Sequence, residues 1–180
     1  MIATMGRVFA AAALAGMASI LTSCSAPDGE RPAPTPSALQ ILESLRRDLI
    51  PSEGSPTGYG PDFSSEGYEV LRQWNADTRP EAVWADDYAR ADVRLPCCGA
   101  VHPYKDESQN CGCGHHQAVY GLAKRLLQRG DDRTQVQSEI GRWRAFMFPR
   151  ETLQVELERR ALQDPAIRQA LDELRQQGIC

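Results

Sequence analysis

Four of the chain's six cysteines and all three of its histidines fall in one run of twenty residues, CCGAVHPYKDESQNCGCGHH, from Cys97 to His116. Glycine-containing and polar, this run has too little apolar surface to order itself by burial, so its order must come from bonds among its sulfur and imidazole groups. Three chemistries satisfy that condition: a metal cage, a redox switch, or a loop stapled by disulfides. The spacing is Cys97-Cys98, three residues, His102, eight residues, then Cys111-x-Cys113-x-His115-His116. Two ligand groups on either side of a spacer match the layout of a metal knuckle, and deprotonated thiols with neutral imidazoles suit zinc or copper(I). The expected ligands are Cys97, Cys98, Cys111 and Cys113, with His102, His115 or His116 as substitutes. His115 and His116 are neighbours, about 100° apart on a helix, so both should not reach one ion. Gly112 and Gly114 should let the backbone turn tightly between ligands.

Cys113 sits just ahead of an expected helix, where unpaired N–H groups and the helix dipole favour a negative sulfur. A redox reading follows, in which Cys97 or Cys98 exchanges a disulfide with Cys111 or Cys113. Permanent disulfides between the same residues form a third reading, natural to an oxidising compartment. The chain carries neither a Gly-x-Ser-x-Gly elbow nor a His-Glu-x-x-His motif, so hydrolysis has no support and no catalytic residue is assigned.

The N-terminus bears on the compartment. Met1 to Arg7 carries one positive charge, and Val8 to Ile20 is apolar or small, as in the n- and h-regions of a signal peptide. These thirteen residues are too short for a membrane-spanning helix, which needs about 20. Leu21-Thr22-Ser23-Cys24 resembles a bacterial lipobox, which implies cleavage after residue 23 and a diacylglycerol thioether on Cys24. The expectation is therefore an exported lipoprotein anchored to the cell envelope. Ser25 after the cysteine resembles the pattern for outer-membrane transfer in a Gram-negative host. With Cys24 acylated, five cysteines remain, an odd number that leaves Cys180 unpaired or linked to a partner. The net charge of −4 and the absence of a basic run exclude nucleic acid as a partner.

Residues 24–37 form a tether: Ser25 to Ser37 holds four prolines and almost nothing apolar, reaching about 35–40 Å from the membrane. Residues 38–180 read as one helical domain. Ser37-Ala-Leu-Gln40 is a capping box opening a helix with Leu39, Leu42, Leu45 and Leu49, and Pro51 ends it. Pro51 to Pro61 is an expected mobile loop. Tyr68, Leu71 and Trp74 share a second helical face. A third helix is expected with Thr78 as its cap and Val83, Trp84, Tyr88 and Ala91 on its buried stripe. After the cysteine loop, residues 96–116, Val119, Leu122, Ala123, Leu126 and Leu127 mark an amphipathic helix closed by Gly130. Asp131 or Asp132 caps its partner, with Val136, Ile140, Trp143 and Met147 inward, making an αα-hairpin. Two more helices follow, one with Leu153, Leu157 and Leu162, the other opened by Asp164-Pro165 and closed by Gly178. No strand stands out. The expected class is all-α, a small helical domain with an irregular Cys/His loop inserted before an αα-hairpin.

Pro96-Cys97, Cys111-Gly112-Cys113 and the helix from Ala123 to Gly130 resemble the PCYCGC-motif bacterial lipoproteins, exported proteins of undefined biochemistry. The resemblance covers about forty residues, and Pro96-Cys97-Cys98-Gly99 replaces the compact opening of that motif. A fainter likeness, in AKRLLQRGDDRTQVQSEIGRW, is to the small thiol subunit of cytochrome c maturation. Its Cys-x-x-Cys has no counterpart here, so no catalytic pair is carried over. The functional expectation is a membrane-anchored lipoprotein binding a soft metal, copper(I) or zinc. The alternatives are envelope thiol-disulfide exchange and a disulfide-stapled scaffold for an envelope protein partner.

Overall fold

The computed structural model describes residues 36–83, 85–97, 99–101 and 112–179. Cys24, Cys98, His102, Cys111 and Cys180, the signal segment and most of the tether lie outside the described residues. Among the described residues the domain is helical, with α1 Ala38–Leu49, α2 Ser65–Asp77, α3 Ala85–Arg90, α4 Gly114–Arg129, α5 Arg133–Met147, α6 Pro149–Ala161 and α7 Pro165–Gln176. None of these helices is long and apolar enough to cross a membrane.

Local capping chemistry sets most of the boundaries. Ser37 and Gln40 form a reciprocal capping box at α1, and Asp132 and Gln135 form another at α5. Asp164 receives the N–H groups of Ala166 and Ile167, with Pro165 in the first turn of α7. At the other end of α4, Gly130 takes φ 96°, a left-handed conformation that closes the helix at little cost only for glycine. The αα-hairpin of α4 and α5 is therefore built as its sequence implies.

The core is centred on α4. Ala118, Val119, Leu122 and Ala123 are fully buried, and so is its polar His116. Around them pack Leu71 of α2, Tyr88 of α3 and Ala91 just after it, and Val136, Ile140 and Trp143 of α5. Gly121 permits the closest approach. A methyl there would run into the Leu71 carbonyl oxygen and lie 2.6 Å from the Asn75 amide nitrogen. A second apolar cluster joins α1, α6 and α7 through Leu45, Leu157, Leu171 and Leu174.

Several expectations give way to tertiary structure. Thr78 ends α2 as its C-cap instead of opening a third helix. That helix begins only at Ala85, leaving Val83 86% exposed, while Tyr88 and Ala91 are buried as the stripe requires. Leu162 is the C-cap of α6 and is exposed, because it follows Leu157 by five residues and so stands off the stripe that buries Leu157 and Ala161. A short antiparallel hairpin also exists, β1 Val93–Leu95 and β2 Gly99–Val101, with Leu95 opposite Gly99. Val93 and Leu95 point inward and Arg94 outward, an alternation too brief to stand out in the sequence.

The expected mobile loop is tied down at several points. Gly54 donates to the Phe63 carbonyl and Phe63 to the Ser55 carbonyl. The Tyr59 hydroxyl accepts from Trp143 Nε1 at 2.8 Å and donates to Glu139 Oε2 at 2.9 Å.

Candidate metal centre

Cys97 and Cys113 come from different elements, each fixed by its own contacts. Cys97 follows β1 in the turn of the hairpin. The strand is anchored by burial of Val93 and Leu95, and its approach is clamped to α5: Asp92 N–H donates to Gln137 Oε1, and Gln137 Nε2 donates to the Asp92 carbonyl, both at 2.9 Å. Cys113 is the N-cap residue of α4, and its carbonyl accepts the Gln117 amide in the helix's first turn. Its side chain does not cap the helix. The sulfur faces Cys97 Sγ at 3.9 Å and His116 Nδ1 at 3.3 Å.

His115 completes a group of three. One ligand atom each from Cys97, Cys113 and His115 lies within 4.8 Å of the other two. Two thiolates bound to one tetrahedral ion at about 2.3 Å stand about 3.8 Å apart, close to the spacing found here, whereas a disulfide would bring them to about 2.05 Å. The His115 ring is held between Tyr68, with centroids 5.9 Å apart, and Phe148 at 4.8 Å. Cys97 is exposed, and Cys113 and His115 are half-buried, so the group opens toward solvent.

His116 takes a different place. It is fully buried and turned inward, with its ring centroid 5.6 Å from that of Tyr120. Burial, then the neighbouring His115, lowers its pKa, so the ring is held neutral. Its Nδ1 accepts from the Cys113 thiol, or donates to the sulfur once that is deprotonated, as groups outside a metal's ligand set commonly do. The angular separation of adjacent helical residues puts His115 at the opening and His116 in the core.

The Cys97 thiol is pushed up, first by partial loss of solvent and then by the Cys113 sulfur as hydrogen-bond partner and charge. With its proton thus held, any metal that takes this sulfur must displace that proton, as metal binding to thiols generally does.

A polar clamp supports the start of α4. Arg72 Nε donates to Gln117 Oε1 at 3.2 Å, and Gln117 Nε2 donates to the Gly112 carbonyl at 3.0 Å. The same Arg72 meets Glu69 at 2.9 Å within α2. The Tyr68 hydroxyl lies where a Cβ on Gly114 would be, so Gly114 serves close approach and not a left-handed turn. Gly112 likewise lacks a positive φ, and a methyl there would meet open space. Burial chiefly raises the Tyr68 pKa, and the two sulfurs add to it, which puts the hydroxyl within their electrostatic reach.

Of the ligands expected from spacing, the structure brings together Cys97, Cys113 and His115, with His116 behind Cys113. Cys98, His102 and Cys111 lie outside the described residues. The supporting Tyr68, Arg72, Gln117 and Phe148 carry no sequence mark of a site. Tyr68 reads as part of an apolar helical face, and its proximity to His115 depends on how α2 packs on α4. No family model matches the chain, and searches of curated proteins and of solved structures return no match.

Proposed function

We propose that this chain is a lipid-anchored protein of the bacterial cell envelope that binds a soft metal ion, zinc or copper(I), at Cys97, Cys113 and His115. The observation that carries this reading is the convergence of two sulfurs and an imidazole nitrogen within 4.8 Å of one another. Two thiolates and a neutral imidazole favour soft or borderline cations over calcium or magnesium, which prefer oxygen. The Cys24 lipobox and the proline-rich tether support the anchored location. The role is metal binding by a tethered domain, with the hairpin turn and the N-terminus of α4 as its two jaws.

The test is native mass spectrometry of the full chain, reduced and then offered zinc(II) or copper(I). One ion should be retained by the wild type, and Cys113→Ser and His115→Ala should each weaken retention by about tenfold or more, as loss of one ligand implies. A reduced wild type that retains neither ion, or variants that retain it unchanged, would overturn the metal reading. Anchoring is checked separately by expression in a bacterial host: Cys24→Ala should leave the membrane fraction and lose the lipid mass.

A further inference from the structure

We propose that Cys97 and Cys113 form a redox gate on the metal site: a small-molecule disulfide joins their sulfurs and expels the ion, and a dithiol reductant restores the site. This rests on the metal reading and assigns its regulation. The two sulfurs stand 3.9 Å apart and must close by about 1.9 Å to reach a disulfide length. Their settings differ in a way that decides which one an external disulfide meets first. Cys113 is half-buried at the N-cap of α4, with His116 Nδ1 3.3 Å from its sulfur. Cys97 is exposed in the hairpin turn, where an external disulfide can reach it.

The chemistry balances as two successive exchanges. The Cys97 thiol first gives its proton to solvent, and the fraction present as thiolate attacks one sulfur of RS–SR; the S–S bond breaks, RS⁻ leaves and is protonated to RSH, and a mixed disulfide forms on Cys97. The Cys113 thiolate then attacks the Cys97 sulfur, forming the Cys97–Cys113 bond and releasing a second RSH. Two electrons and two protons pass from the cysteine pair to RS–SR, which is reduced to two thiols. Both sulfurs then lack the charge and the free lone-pair geometry that a metal needs. Of the three converging ligands only His115 remains, held in place by Tyr68 and Phe148. One imidazole cannot retain the ion alone. Conversely, an ion bridging both sulfurs occupies the lone pairs needed for attack, so metal should protect the pair from oxidation.

The experiment uses the full chain, zinc(II) as the metal and oxidised glutathione as the disulfide. Zinc affinity is measured first on reduced protein, then after oxidation, and peptide mapping with differential alkylation locates the bond. The expected result is a Cys97–Cys113 linkage, a fall in zinc affinity of at least about tenfold, recovery on adding dithiothreitol, and slower oxidation of zinc-loaded protein. His115→Ala provides the second arm. It should form the same linkage, but added zinc should no longer slow the reaction. A bond that maps to a different cysteine pair, or zinc affinity unchanged by the Cys97–Cys113 bond, overturns the gate while leaving the metal reading intact. Reduced protein that binds no zinc, under conditions where it also binds no copper(I), overturns the metal reading and the gate with it. Circular dichroism of each variant distinguishes loss of a ligand from loss of fold.

Discussion

Replacing Gly121 by alanine tests whether close packing of α2 against α4 holds the domain together. The added methyl would collide with the Leu71 carbonyl oxygen and lie 2.6 Å from the Asn75 amide nitrogen, both backbone atoms of α2. A flexible side chain could turn aside; backbone in the middle of a helix cannot. The two helices must separate, loosening the contacts of Leu71 with the apolar face of α4. Overpacking of this kind costs up to about 3 kcal/mol, and alanine's better helix propensity returns about 1 kcal/mol, for a net loss of about 2 kcal/mol. For a domain of this size that is a fall in Tm of about 5–8 °C. Gly141 in α5 is the matched control, because a methyl there meets nothing within 4 Å. Gly141→Ala should therefore stabilise by roughly 0.5–1 kcal/mol. Urea unfolding of the full chain, followed by far-ultraviolet circular dichroism, should move in opposite directions for the two variants. If Gly121→Ala were as stable as Gly141→Ala, close contact of the two helix backbones would not be what requires glycine at position 121.

Gly114→Ala should displace the Tyr68 hydroxyl and disturb the turn carrying Cys113 and His115, lowering zinc retention more than global stability. Adding Tyr68→Phe removes the colliding oxygen and should recover part of that retention in a double-mutant cycle. Tyr59→Phe leaves Trp143 Nε1 and Glu139 without their shared partner and should cost about 1–3 kcal/mol in urea unfolding. Hydrogen bonds from Arg159, then Arg160, hold the Glu156 carboxyl down to about 2 from an ordinary value of 4.5. Because the folded-state pKa is the lower one, its contribution is present above pH 4.5 and is lost as pH falls toward about 2. Glu156→Gln should flatten that part of the acid-unfolding curve; an unchanged curve would refute the assignment.

The helices that were legible in the sequence are those whose signals act over a few residues. Ser37 with Gln40, and Asp164 with Pro165, announce their helices because cap and helix are bonded within a single turn. Val83 shows where this reasoning fails. The sequence reading assigns it to one stripe with Tyr88, yet it precedes the helix that buries Tyr88 and is left exposed. The three-residue strands of the hairpin were not legible either, since so short a run carries no period and becomes a strand only by pairing.

For the site, the local run of cysteine and histidine was enough to name the chemistry, because soft-metal and thiol reactions depend on residue type and those types occur together nowhere else in the chain. Which side chains converge was decided by tertiary structure. Cys97 is brought to Cys113 by a strand buried against the core, His115 is turned outward and His116 inward by the helix, and Tyr68 arrives on another helix. Composition along the chain fixes what a cluster could bind; only packing of distant segments brings its donor atoms within a few ångströms of each other.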